Sequence, residues 1–252
     1  MEVHPHTHLA SGETHDHGKK WSNYFWEFIM MFFAVFCGFL AENQREHFIE
    51  NQREKQFVHS IAEDLKQDIY DLDSIITVRE AKDKMMDSLF KLLHAPDIAE
   101  HGKDIYYFTR WAPRTYRFYT HDRTILQLKN AGNWRLIHNK KVSEALQSYD
   151  GYVRSLTVYI EEREETLVKI IYPSINKLFD AQVFENMLNG LSFSPPPGNP
   201  KLMTYDKEVI NEFSNQLHFL RNSNFYFIIV AKKLLSIAHQ TLDLLKNEYR
   251  LK

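Results

Sequence analysis

The chain has 252 residues, a formal net charge of -2, eight glycines and one cysteine. The near-neutral charge gives no electrostatic reason to expect nucleic acid as a partner, the scarcity of glycine argues against phosphate-cradling loops, and a lone Cys37 excludes an internal disulfide framework. Roughly 210 residues beyond the apolar stretch described below leave room for one domain with a real core.

Residues 1–20 contain His4, His6, His8, His15 and His17 and no apolar periodicity. They read as a disordered, His-rich leader. Alternating imidazoles on an extended chain have the chemistry to hold zinc, copper or nickel weakly, and the competing reading is a flexible polar tail without a specific task. No cofactor is called for elsewhere.

From Trp21 to Ala41 the text is apolar, uncharged from Phe28 onward, and crowded at its leading end by Trp21, Tyr24 and Trp26. As a helix, Tyr24 to Ala41 would reach ~27 Å against a hydrocarbon thickness of ~30 Å. Rings at headgroup depth, preceded by Lys19 and Lys20, are the dressing of a transmembrane helix in a lipid bilayer. A cleaved signal peptide lacks its small-residue site here, a lipoprotein reading fails on the Phe before Cys37, and a buried soluble helix has polar text on both flanks. The nearness of the two lysines places the N-terminus in the cytoplasm and the C-terminal domain in the periplasm, with the helix in a bacterial inner membrane.

Residues 42–56 form a polar helical exit segment. Glu42, Glu46, Glu50 and Glu54 recur every fourth residue, an acidic stripe able to attract cations if subunits assemble around an axis, and otherwise a solvated helix face. From residue 57 to 252 the chain reads as one helical domain. Phe57, Ile61, Leu65, Ile69, Leu72 and Ile76 form a helical stripe, Met85 to Leu93 continue it after a polar interval at Arg79 to Asp83, and Pro96 ends it.

Residues 104–123 bring Arg110, Arg114 and Arg117 beside Tyr116 and other rings. Guanidinium groups beside aromatic faces suit a carboxylate or phosphate, which makes these four residues the candidate ligand site; the alternative is rings filling a helix end with arginines lying over them. Thr120 or Asp122 is positioned to cap a helix ending near Gly132, and Asn139 starts another.

The segment Thr124 to Asp150, the segment Trp26 to Phe57 and the His-rich leader together resemble an uncharacterised family of bacterial single-pass membrane proteins. The resemblance covers most of the chain. It implies the anchor and a helical domain, and no activity or catalytic residues.

Val142, Leu146, Tyr149, Val153, Leu156, Ile160, Arg163, Leu167 and Ile170 alternate spacings of four and three, a heptad seam expected to break at Pro173. A weaker helix follows over Ile175 to Leu191, then a proline-rich loop. Val209, Phe213, Leu217, Leu220, Asn224, Phe227, Ala231, Leu234, Ala238 and Leu245 make a second seam in a final helix from about Tyr205 to Tyr249, with Asn224 its only amide.

These patterns predict an all-α protein: one N-terminal transmembrane helix continuing into an elongated antiparallel bundle. No Gly-x-Ser-x-Gly, His-Glu-x-x-His or Glu-x-x-His pattern supports an enzyme. The expected function is membrane-anchored and non-enzymatic, acting by binding a ligand or protein partner and by self-association as a homo-oligomer. The alternative is an oligomer that conducts cations or handles metal.

Overall fold

The structure, a computed structural model, describes residues 18–190 and 192–251. Of these 81% are helical, with a single two-residue strand pair, so the fold is all-α. The helices are α1 (Gly18–Leu93), α2 (Gly102–Trp111), α3 (Arg123–Asn130), α4 (Lys140–Arg154), α5 (Glu161–Leu178), α6 (Ala181–Asn186) and α7 (Lys207–Tyr249). A π-helical turn, Ser155–Ile160, joins α4 to α5. Strands β1 (Leu188–Asn189) and β2 (Ser192–Phe193) pair antiparallel, with Leu188 opposite Phe193.

The chain divides into two compact units, Met1–Arg53 and Glu54–Lys252. In the first, the described residues belong to α1. An 18-residue window of this helix has a mean hydropathy of 1.8 and none of it is buried. Phe28, Met31, Phe32, Phe33, Val35 and Phe39 are all exposed, and Phe32 stacks on Phe36 with ring centroids 5.9 Å apart. The protein therefore has a helix long and apolar enough to cross a membrane.

In the second unit the seam of α1 is unusually regular. Glu54, Val58, Ile61, Leu65, Asp68, Leu72, Ile75, Arg79, Lys82, Met86, Leu89 and Leu93 are all buried, and their separations alternate between four and three. The polar interval at Arg79 to Asp83 does not interrupt the helix; it supplies two charged members of its buried face. Helix α7 repeats the pattern from Ile210 through Phe213, Leu217, Leu220, Asn224, Phe227, Ala231, Leu234, Ala238 and Thr241 to Leu245. Asp206 caps α7, accepting from the amides of Glu208 at 2.8 Å and Val209 at 3.2 Å.

The seam of α4 departs from expectation at one place. Val142, Leu146, Tyr149, Val153, Leu156 and Ile160 are buried as the heptad requires, but beyond them the buried positions are Glu161, Glu164, Ile171, Ser174, Ile175 and Leu178, and Arg163, Leu167 and Ile170 are not among them. The π turn inserts one residue, and every later position moves by one. Arg163 is exposed, and Glu164 takes the place in the core. Helix α5 also runs through Pro173 instead of ending there, because Ile171, Ile175 and Leu178 pack on both sides of the lost hydrogen bond. The helix expected over Ile175 to Leu191 is replaced by the end of α5, the short α6 and the β1–β2 hairpin.

Two apolar clusters make the core. One joins Val58 to Ile76 of α1, α3, α4 and Phe227 to Leu245 of α7; the other joins Met86 to Leu93, α2, Ile171 to Leu178 of α5 and Ile210 to Leu220 of α7. On α1, α5 and α7 buried polar residues stand at the changeover: Arg79 and Lys82, Glu161 and Glu164, and Asn224.

Candidate functional site

The residues between α2 and α3 are not helical, so their backbone groups need partners from elsewhere. Helix α1 supplies them. Lys82 Nζ donates to the Arg114 carbonyl at 2.6 Å, Arg79 Nη2 donates to the Tyr116 carbonyl, and Asp68 Oδ1 accepts from the His121 amide at 2.7 Å. Asp68 also accepts from the Thr120 hydroxyl at 2.9 Å and from the Tyr149 hydroxyl. Further back, Asp64 accepts from Thr124 at 2.6 Å, and Glu54 accepts from the His138 amide at 2.9 Å and from the Tyr249 hydroxyl. Asp122 precedes α3 without a side-chain cap, and Thr120 is likewise spent on Asp68 instead of capping.

At the centre of this array is a buried ionic group. Arg79, wholly inaccessible, donates through Nη1 to both oxygens of Glu164 at 2.8 Å. Lys82 Nζ reaches the same carboxylate at 3.1 Å. Asn224 closes the group in both directions, accepting from Arg79 Nη1 at 3.3 Å and donating to the Arg79 carbonyl at 3.1 Å. The guanidinium also lies 3.8 Å from the centroid of the Phe227 ring. Glu161 accepts from the Phe118 amide at 3.0 Å. Burial drives the Lys82 pKa down, opposed by the Glu164 carboxylate. Burial likewise pushes the Glu161 carboxyl up, against the Phe118 amide and the positive charges of Arg117 and Arg79. Such a group contributes little net stability when complete, but it fixes which residues face one another, because any other register strands a charge.

The irregular segment held in this way carries the arginines singled out from sequence. Arg110 and Arg114 line a cleft of about 590 Å³ together with Thr109, Lys169, Tyr172 and Phe193. The Arg110 guanidinium is 4.5 Å from the centroid of the Phe193 ring, and that of Arg114 is 4.2 Å from the same ring and 4.8 Å from Trp111. Arg117 and Tyr116 do not join them. Arg117 pairs with Glu165, and Tyr116, half-buried against the first core cluster, lines a separate recess with Arg117.

The acidic stripe is not one surface. Glu42 and Glu46 are exposed, Glu50 is half-buried and Glu54 is buried among its partners. Glu42 forms an ion pair with Arg45 at 2.5 Å. His4, His6, His8, His15 and His17 lie outside the described residues. Among the described residues no group of three or more His, Cys, Asp or Glu side chains is arranged to hold a metal ion.

Sequence reasoning missed Arg79, Lys82, Glu161, Glu164, Thr109 and Lys169. A signal for the first two was present, since they continue the alternation of four and three between Val58 and Leu93. Glu164 had none, because the inserted residue of the π turn hides its register. Comparison of the chain with family models, with curated proteins and with solved structures found no match.

Proposed function

We propose that this chain is a single-pass membrane protein without catalytic activity, whose Glu54–Lys252 unit acts by binding a ligand or protein partner and by self-association. The observation that carries the reading is the apolar window of α1, where large side chains from Trp21 to Leu40 are exposed rather than packed. Water is a poor solvent for that surface and lipid is a good one. The order of side-chain partners favours an antiparallel bundle in the second unit. As α1 advances from Glu54 through Arg79 to Asp83, its partners on α7 retreat from Tyr249 through Asn224 to Arg221.

The reading includes a bacterial inner-membrane address, a cytoplasmic N-terminus, a periplasmic C-terminal unit and kinship with the uncharacterised single-pass family. The cation-conducting alternative is weakened by Glu54, whose carboxylate is engaged by His138 and Tyr249.

Cys37 is exposed in the apolar window and tests the anchor directly. In intact vesicles a charged maleimide should leave Cys37 unmodified, and detergent should restore labelling. Rapid labelling without detergent, or release of the chain by alkaline carbonate, would overturn the membrane reading. An alkaline phosphatase fusion at the C-terminus should be active; an inactive fusion reverses the orientation. Mass photometry in detergent should show a species larger than the 30.0 kDa chain.

A further inference from the structure

We infer that the cleft lined by α2, the irregular segment after it, α5 and β2 binds a small organic oxyanion, a carboxylate or phosphate carried on an apolar body. This rests on the reading of the Glu54–Lys252 unit as a binding domain and names its ligand class.

Charge is the first argument. Arg110, Arg114 and Lys169 all line the cleft, and among the described residues none of the three has a carboxylate within ion-pair distance. The cleft contains a single acid, Glu165, and that carboxylate is already paired with Arg117. The lining is therefore left with uncompensated positive charge.

Unspent hydrogen-bonding capacity is the second. Thr109 is 1% exposed, lines the cleft, and its Oγ1 has no hydrogen-bond partner. The Arg110 Nε is buried and equally without one. A buried donor left in this state costs about 1–3 kcal/mol, which an arriving oxyanion recovers. The two guanidiniums lie over the Phe193 ring, a contact that consumes none of their N–H groups. It also brings two like charges to one ring, and an anion beside them relieves their repulsion.

Shape supplies the apolar half of the ligand. Val168, Tyr172, Ile175 and Phe184 complete the wall, and about 590 Å³ falls within the range of small-molecule sites. The one-residue shift of the π turn matters here, because it sets which residues of α5 stand on the core side and which, including Lys169, remain for the cleft.

The test titrates the full chain in zwitterionic detergent with phenyl phosphate, phenylacetate, inorganic phosphate and short-chain dihexanoylphosphatidic acid, by calorimetry, with helicity followed by circular dichroism. Saturable binding of phenyl phosphate or phenylacetate, stronger than inorganic phosphate, assigns a soluble organic anion. Binding confined to the phosphatidic acid assigns a lipid headgroup, and both outcomes support the site. Arg110→Gln should weaken binding by about tenfold and Lys169→Gln by a few-fold. Lys177→Gln, elsewhere on α5, should leave it unchanged. Glu165→Gln should tighten binding by a few-fold, a gain that misfolding does not produce. No saturable binding by any organic probe, or affinities unaltered in the Arg110, Lys169 and Glu165 variants, overturns the inference. Because the chain is held in detergent and its helicity monitored, that failure retires the cleft and leaves anchoring and self-association standing, whereas rapid aqueous labelling of Cys37 does the reverse.

Discussion

The same helix behaves in opposite ways in the two units. Before Arg53, α1 leaves its largest apolar side chains exposed; after Glu54 it buries Asp68, Arg79 and Lys82. Exposed phenylalanine and buried arginine each look wrong against water, yet each has a physical reason. Apolar rings need a solvent of their own kind, and a buried charge needs an opposite charge and enough hydrogen bonds. A helix face is thus specified by what surrounds it, and the proposed anchoring gives the two halves of α1 different surroundings.

The sharpest way to break this contrast is to put charge where the rings are. Phe32→Lys with Phe36→Lys places two ammonium groups near the middle of the apolar window, at a cost of about 3 kcal/mol each in a bilayer. Under the proposed anchoring, membrane retention should collapse, while the unfolding midpoint of the Glu54–Lys252 unit, read by chemical denaturation, stays where it was. A matching fall in that midpoint would show that the two regions are not independently specified.

The complementary change removes the acid from the ionic centre. Glu164→Gln leaves Arg79 and Lys82 buried without a carboxylate and should destabilise the second unit by about 4 kcal/mol. Replacing Arg79, Lys82 and Glu164 together by Met, Met and Leu should restore only part of that stability, because the Arg114 and Tyr116 carbonyls then lose their donors. If Glu164→Gln is tolerated within about 0.5 kcal/mol, the polar layer does not constrain the packing of these helices.

Glu54, at the boundary, gives a smaller and pH-dependent effect. Burial alone would raise its carboxyl pKa, but the Tyr249 hydroxyl and the His138 side chain and amide outweigh burial and lower it. A folded-state pKa below the unfolded value of about 4.3 contributes stability that is present above that pH and lost as pH falls through the folded value. Tyr249→Phe should therefore cost about 1 kcal/mol at neutral pH and move the midpoint of acid unfolding upward, with wild type and variant converging at the acid end. Parallel curves at every pH would refute the assignment.

The smallest expected effect comes from deleting Val158, an exposed residue of the π turn. A regular helix would then carry Glu164, Ile171 and Ile175 on the same buried face, so stability should be unchanged or slightly raised. A large loss would mean that the turn is itself required.

Much of the fold is legible in the text of the chain. The apolar window, the end of α1 before Pro96, the start of α4 at Asn139 and the Asn224-containing seam of α7 all follow from local spacing, because each depends only on residues within a turn or two of one another. Arg110 and Arg114 could be found for the same reason, as guanidiniums among rings. Their separation from Arg117 and Tyr116 could not, since it depends on Glu165 and on the first core cluster.

Local periodicity by itself therefore determined α1, α4 and α7 and their apolar faces. Tertiary structure alone decided which groups Arg79 and Lys82 meet, that Glu164 rather than Arg163 is among them, that Pro173 is accommodated, and that Lys169 stands in a cleft with Arg110 and Arg114. The physical reason is that a charged side chain carries no mark of its partners. Whether it is solvated or paired is settled by groups brought near it from as many as 195 residues away, as Tyr249 is to Glu54.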